Sequence, residues 1–284
     1  MLLTEQVMQE TNCDNLEEAI EQHQELGYRL DMIFPADAPR EALVSKDGEV
    51  LRLIAENHPA AEAAPLLRKE GSWKVGRAGM EYRALSPRFS GHSTEEMPPK
   101  GGTQSAVAAH HIRLTTGGEV PDYVHYHKVE FQMIYCKRGR IKVVYEDQGE
   151  PFWLDTGDCV LQPPEIRHRV LYADAGAEVI EVTMPAEHET WLEHDIDFPN
   201  KKLNPARIFS GQRFMRHIAA ENAGQDCRDL GISAATDGRF DAYVQIIDAE
   251  ENLPANCANS REIALYLRLS EAEMLTVNLQ SSRG

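Results

Sequence analysis

The stretch His125-Tyr126-His127-Lys128-Val129-Glu130-Phe131-Gln132, with Gly139 beyond it, sets two imidazoles two positions apart. Side chains two apart on a β-strand point to the same face, so His125 and His127 can offer two nitrogens to one ion. Further along, Gly157-Asp158 leads through Pro163 to a third candidate, His168. Neutral imidazole is the commonest protein ligand of transition metals, which makes a mononuclear metal site the first expectation.

Both segments resemble the paired motifs of the cupin superfamily, small double-stranded β-helix barrels whose two motifs line one metal site. The first family motif is matched by Gly118, His125-x-His127, four residues, Gln132, six residues and Gly139; the second by Gly157, five residues, Pro163-x-Glu165, two residues and His168. The resemblance implies that His125, His127 and His168 hold one divalent metal, with Fe(II) the first choice and Mn, Ni, Co or Zn as alternatives. This chain departs from the family at Gln132, where a carboxylate is usual, and at Glu165, where Gly is usual. Three neutral imidazoles and a Gln leave a divalent ion at net +2, which favours a bidentate or acidic substrate. Register from Gly139 puts Gln132 at the metal. Glu130, two residues earlier, would share its face on one strand, so either residue is a candidate ligand or proton-handling group. Tyr135, Gln162, Arg167, Arg169 and Tyr172 lie near the ligands as candidate substrate contacts, although alternation from an inward His168 turns both arginines outward. His110, His111 and His188 read as structural.

Working outward, an Asn15 cap, apolar Leu16, Ala19, Ile20 and Leu26, and a closing Gly27 predict a helix. Strands are expected at 28–34, 42–45 and 50–55, the last two joined by Lys46-Asp47-Gly48. This segment resembles half of a vicinal-oxygen-chelate module; His23, Glu56 and His58 are its possible ligands, and a structural or dimerisation role is the simpler reading. The expected architecture is mainly β: a small α+β module at 1–57, a linker at 58–72, a metal-binding cupin barrel at 73–200, and a degenerate, truncated second cupin at 201–284. The second copy rests on a 133-residue offset that sets Pro121 on Pro254 and places Ala258, Ser260 and Leu265 at the positions of His125, His127 and Gln132.

Composition bounds the function. The 284 residues carry 29 Lys and Arg against 46 Asp and Glu, a formal charge of −17 that disfavours nucleic acid and anionic membrane surfaces. Mean hydropathy is −0.46. No apolar run reaches the ~18 residues of a membrane span, and the opening Met1-Leu2-Leu3-Thr4-Glu5 is unlike a signal peptide, so a cytoplasmic protein is expected. The five scattered cysteines fit neither a disulfide framework nor a thiolate zinc site. A metal in one half of a double cupin resembles the layout of gentisate-type dioxygenases. That implies an oxidoreductase working on a small molecule as a homodimer; a non-redox isomerase, lyase or decarboxylase, or a non-catalytic binding cupin, are the alternatives.

Overall fold

The computed structural model describes residues 9–36, 39–56, 73–76, 79–85, 107–222, 224–248, 250, 257–258 and 262–280, with backbone alone at 257–258 and 262. The expected linker at 58–72, together with His58 and Ser260, lies outside them.

The helix runs Leu16–Glu25; the Asn15 side chain accepts from the backbone N–H of Glu17 and Glu18, and Gly27, at φ +89, closes it. Leu16 and Ala19 bury one stripe against Arg29–Phe34, Glu41–Lys46 and Glu49–Ala55, an antiparallel meander. Gln9–Cys13 adds in parallel to its outer strand. The meander does not stand apart: Thr190–Leu192 pairs with Arg29–Phe34 on one side and with His125–His127 on the other. One sheet thus continues through His125–His127, His168–Ala173, Arg140–Tyr145 and Phe152–Asp155.

A second sheet, ordered Met215–His217, Cys159–Leu161, Phe131–Arg138, Ala177–Met184, Ala108–Leu114, Glu81–Ala84 and Lys74–Val75, faces it. Ile112, Leu114, Cys136, Ile141, Val143, Tyr145, Val160 and Val179 fill the space between them. The other face of the second sheet carries Phe131, Met133, Tyr135, Leu161, Ile180 and Val182, which pack on Phe240, Val244, Leu265, Leu275 and Val277 of a C-terminal sheet. Both faces are therefore buried, which is why Phe131–Cys136 and Cys159–Leu161 read as nearly unbroken apolar runs.

The C-terminal sheet places Glu262–Arg268, Glu273–Gln280, Phe240–Ile246 and Cys227–Asp229 side by side, matching the order Phe131–Arg138, Ala177–Met184, Ala108–Leu114 and Glu81–Ala84. The 133-residue offset holds for one strand only. Ala109 and Ala242 both face the shared core, but Gln132 faces away from it and Leu265 into it. A slip of one residue between the copies reverses every side chain, so Leu265 is not the counterpart of Gln132.

Cys136 and Cys159 are buried packing residues, and burial pushes both thiols up, that of Cys136 to about 12. Among the described residues no helix is long and apolar enough to cross a membrane.

Two buried histidines tie stability to pH. The His111 ring lies tilted against Trp73, and its nitrogens meet Arg83 and Glu178; His217 lies on the strand beside Cys159. Burial holds both below the ordinary value of 6.5, aided by the Lys137 charge at His111 and Arg228 at His217, and outweighs Glu178 and Asp158. The unfolded chain therefore binds these protons first, so their contribution is full above pH ~6.5 and is lost as the pH falls below it. Thermal unfolding between pH 7.5 and 5.5 should show a falling midpoint, and the His111→Gln, His217→Asn double variant a flatter one. An unchanged slope in that variant would contradict the assignment.

Candidate metal centre

His125 and His168 are direct cross-strand partners, and Thr190 faces His127 from the other side. Antiparallel partners share a face, so pairing alone brings the three imidazoles together. Their ring centroids lie 4.3 to 5.2 Å apart, and one ligand nitrogen from each falls within 4.8 Å of the others. All three rings are buried.

The surroundings fix which nitrogen two of the rings present. His125 Nδ1 lies 2.8 Å from the Tyr123 carbonyl oxygen and His168 Nδ1 lies 2.9 Å from that of Ile166. A carbonyl oxygen only accepts, so both Nδ1 atoms carry the proton, and the neutral rings keep a lone pair at Nε2. His127 Nδ1 meets the Thr190 hydroxyl at 2.9 Å, and the buried Asp122 carboxylate stands 3.7 Å from His125 Nδ1 while accepting from the Val170 N–H. Outer partners of this kind orient metal-binding histidines. The Gln162 Oε1 atom, in the same cavity, is buried without a hydrogen-bond partner among the described residues. Three oriented imidazoles beside an unsatisfied oxygen fit a divalent transition metal.

The family model described as Cupin domain matches residues 110–183, the segment that contains all three histidines. This part of the chain is a cupin domain. An RmlC-like cupin from Shewanella frigidimarina is similar at 23% identity over 42% of this chain and 84% of that one, with a TM-score of 0.29. The KdgF structure from a Halomonas species is 18% identical over 40% and 87%, with a TM-score of 0.29. A variant of Bacillus subtilis oxalate decarboxylase is 13% identical over 74% and 67%, with a TM-score of 0.40. No curated protein matches the chain.

The cupin cavity at the triad measures about 80 Å³. Its walls are mixed: Ile112, Leu114, Ile134, Ile141, Val143 and Val179 are apolar, and Tyr82, Tyr145, Gln162, Arg169, Glu181, His188 and Thr190 are the polar residues beside the three histidines. The other residues singled out from sequence fall elsewhere. Gln132 is buried, but its Nε2 donates to Glu181 Oε1 at 2.8 Å, and the carboxylate that lines the cavity is Glu181. Glu130 precedes the strand Phe131–Arg138 and so does not share the face of Gln132; its carboxylate pairs with Arg239 at 3.2 Å in a separate groove. Tyr135 is three residues from Gln132, hence on the opposite face, inside the core shared with the C-terminal sheet. Arg167 pairs with Glu193 and stacks on Tyr126. Arg169 borders the cavity, and its Nε is buried without a hydrogen-bond partner among the described residues; its cross-strand partner Val144 packs with Val124 and Phe198. Tyr172 is exposed, edge-on to Trp153. His23 bonds the Ala19 carbonyl within its own helix, and neither it nor Glu56 lines the cavity.

Sequence reasoning missed Glu181, Tyr145, Thr190 and Asp122, and set His188 aside although it lies edge-on to His127, 5.1 Å away. Tyr145 stacks on His168, and burial, with Cys159 and Glu181 adding to it, holds its phenol above the ordinary value of 10. At neutral pH it is a protonated donor.

Proposed function

We propose that this cupin is a mononuclear metal-dependent oxidoreductase of the dioxygenase type, acting on a small, bidentate organic substrate. The observation that carries the reading is three buried imidazoles, two of them with Nδ1 held by backbone carbonyls, gathered at a small cavity of mixed lining. Bound to His125, His127 and His168, a redox-active ion such as Fe(II) would supply electron exchange between substrate and O2. The chain's own residues do the rest. Tyr145 donates a hydrogen bond to a substrate oxygen, Glu181 accepts one, and the aliphatic walls keep water from the reacting atoms. Gln132 acts through Glu181 as a positioning residue. The same proposal places the protein in the cytoplasm as a homodimer.

Metal analysis of freshly purified protein, followed by oxygen-electrode assays with Fe(II) and catechol, gentisate or small dicarbonyl compounds, tests it. Iron in the protein and substrate-dependent O2 uptake are the expected results. Turnover without O2 on Zn(II) or Mn(II) would replace the reading by a non-redox isomerase, lyase or decarboxylase, and tight ligand binding without turnover by a binding protein.

A further inference from the structure

Two glutamines stand side by side on the inner face of the second sheet. The Gln162 N–H donates to the Gln132 carbonyl oxygen at 2.9 Å, which extends the pairing of Ile134 with Val160 and Met133 with Leu161 by one residue. Val160 packs into the core between the two sheets, whereas Leu161 packs toward the C-terminal sheet. Alternation therefore turns the Gln162 side chain toward the triad, and it lines the same cavity as His125, His127 and His168.

The two amides differ in what holds them. Gln132 Nε2 is tied to Glu181, and Gln132 does not border the cavity. Gln162 is 2% exposed, and its Oε1 has no hydrogen-bond partner among the described residues. An amide oxygen only accepts, so a donor or a cation must satisfy it, and burial without either costs stability. Arg169 Nε also borders the cavity without a partner, and the two atoms do not bond to each other.

We propose that Gln162 Oε1 is the fourth protein ligand of the metal held by His125, His127 and His168, the place that the sequence pattern gives to Gln132. The inference rests on the triad holding a divalent metal. Facing sheets stand about 10 Å apart, a gap that a histidine and a glutamine side chain reaching from opposite walls can close around an ion. Three imidazole nitrogens and one amide oxygen form a mixed donor set suited to first-row divalent ions. Because the amide is neutral, the ion keeps its net +2.

The test titrates the full chain with Co(II) and reads both affinity and the d–d absorption of the bound ion. Gln162→Leu should weaken binding by about 100-fold, at the upper end of what loss of an outer partner costs, and should change the d–d bands. Gln162→Glu should tighten binding by about tenfold or more, since a carboxylate then replaces a neutral oxygen at the ion. Without metal, Gln162→Leu should melt no lower than the unaltered protein, because the variant loses an unsatisfied oxygen. Gln132→Leu should cost less affinity than Gln162→Leu; the reverse order would return the oxygen ligand to Gln132 and overturn the proposal. Unaltered affinity and bands in Gln162→Leu would overturn it too, while leaving the three histidines as the metal site. Failure of the unaltered protein to bind Co(II) would remove the metal reading itself.

Discussion

His127→Ala is expected to abolish stoichiometric Co(II) binding while leaving the barrel folded. His127 supplies one of three buried nitrogens gathered within 4.8 Å, and no carboxylate in that group can replace it. The barrel does not depend on the ring, because its core is the aliphatic set between the two sheets and His127 lines the cavity instead. The readout is linkage: a ligand bound only to the native state raises stability by about 2.7 kcal/mol at a hundred times its Kd. The unaltered protein should melt at a higher temperature when Co(II) is added, and the variant should not respond. Thr190→Val, which removes only the hydroxyl at Nδ1, should weaken binding by roughly 10–100-fold, the usual cost of a lost outer partner. If His127→Ala still bound Co(II) with affinity near that of the unaltered protein, the three rings would be an internal hydrogen-bonding cluster and no metal centre.

The histidine cluster was legible because its signal is local: two residues on one strand and a third set by a spaced motif. The helix and its hairpins were legible for the same reason, through Asn15, Gly27 and the Asp47-Gly48 turn, both of whose residues take positive φ. The carboxylate was not. Glu181 reaches the cavity from a strand whose partners are Ile134 and His110, and nothing near it in sequence announces that pairing. Gln132 then becomes intelligible as the residue that holds Glu181 rather than as a weakened ligand. Tyr135 was avoidable, since its odd separation from Gln132 already placed it on the other face. Glu130 was not avoidable, because sharing a face with Gln132 requires a strand that begins before Phe131. The C-terminal offset failed through a one-residue slip between strands, invisible where identities are sparse.

Phe240→Ala should be the most destabilising single change outside the metal site, at about 3–5 kcal/mol. Phe240 is 1% exposed, and its ring lies 4.9 Å from that of Phe131 at the centre of the core joining the second sheet to the C-terminal one. Phe131, Leu265, Leu275 and Val277 are all fully buried there, so the site has little freedom to collapse around the void. Phe240→Leu, which leaves a smaller cavity, should cost distinctly less. Urea denaturation at unchanged slope measures both. A loss below ~1 kcal/mol for the alanine variant would mean that the two sheets do not share a close-packed core. The consequence reaches the cavity through a single strand: Phe131 packs on Phe240, and the next residue, Gln132, turns the other way to hold Glu181. Phe240→Ala should therefore loosen the grip on the carboxylate while sparing the three imidazoles, which sit on the opposite sheet. In that variant Co(II) affinity should stay that of the unaltered protein even as stability falls.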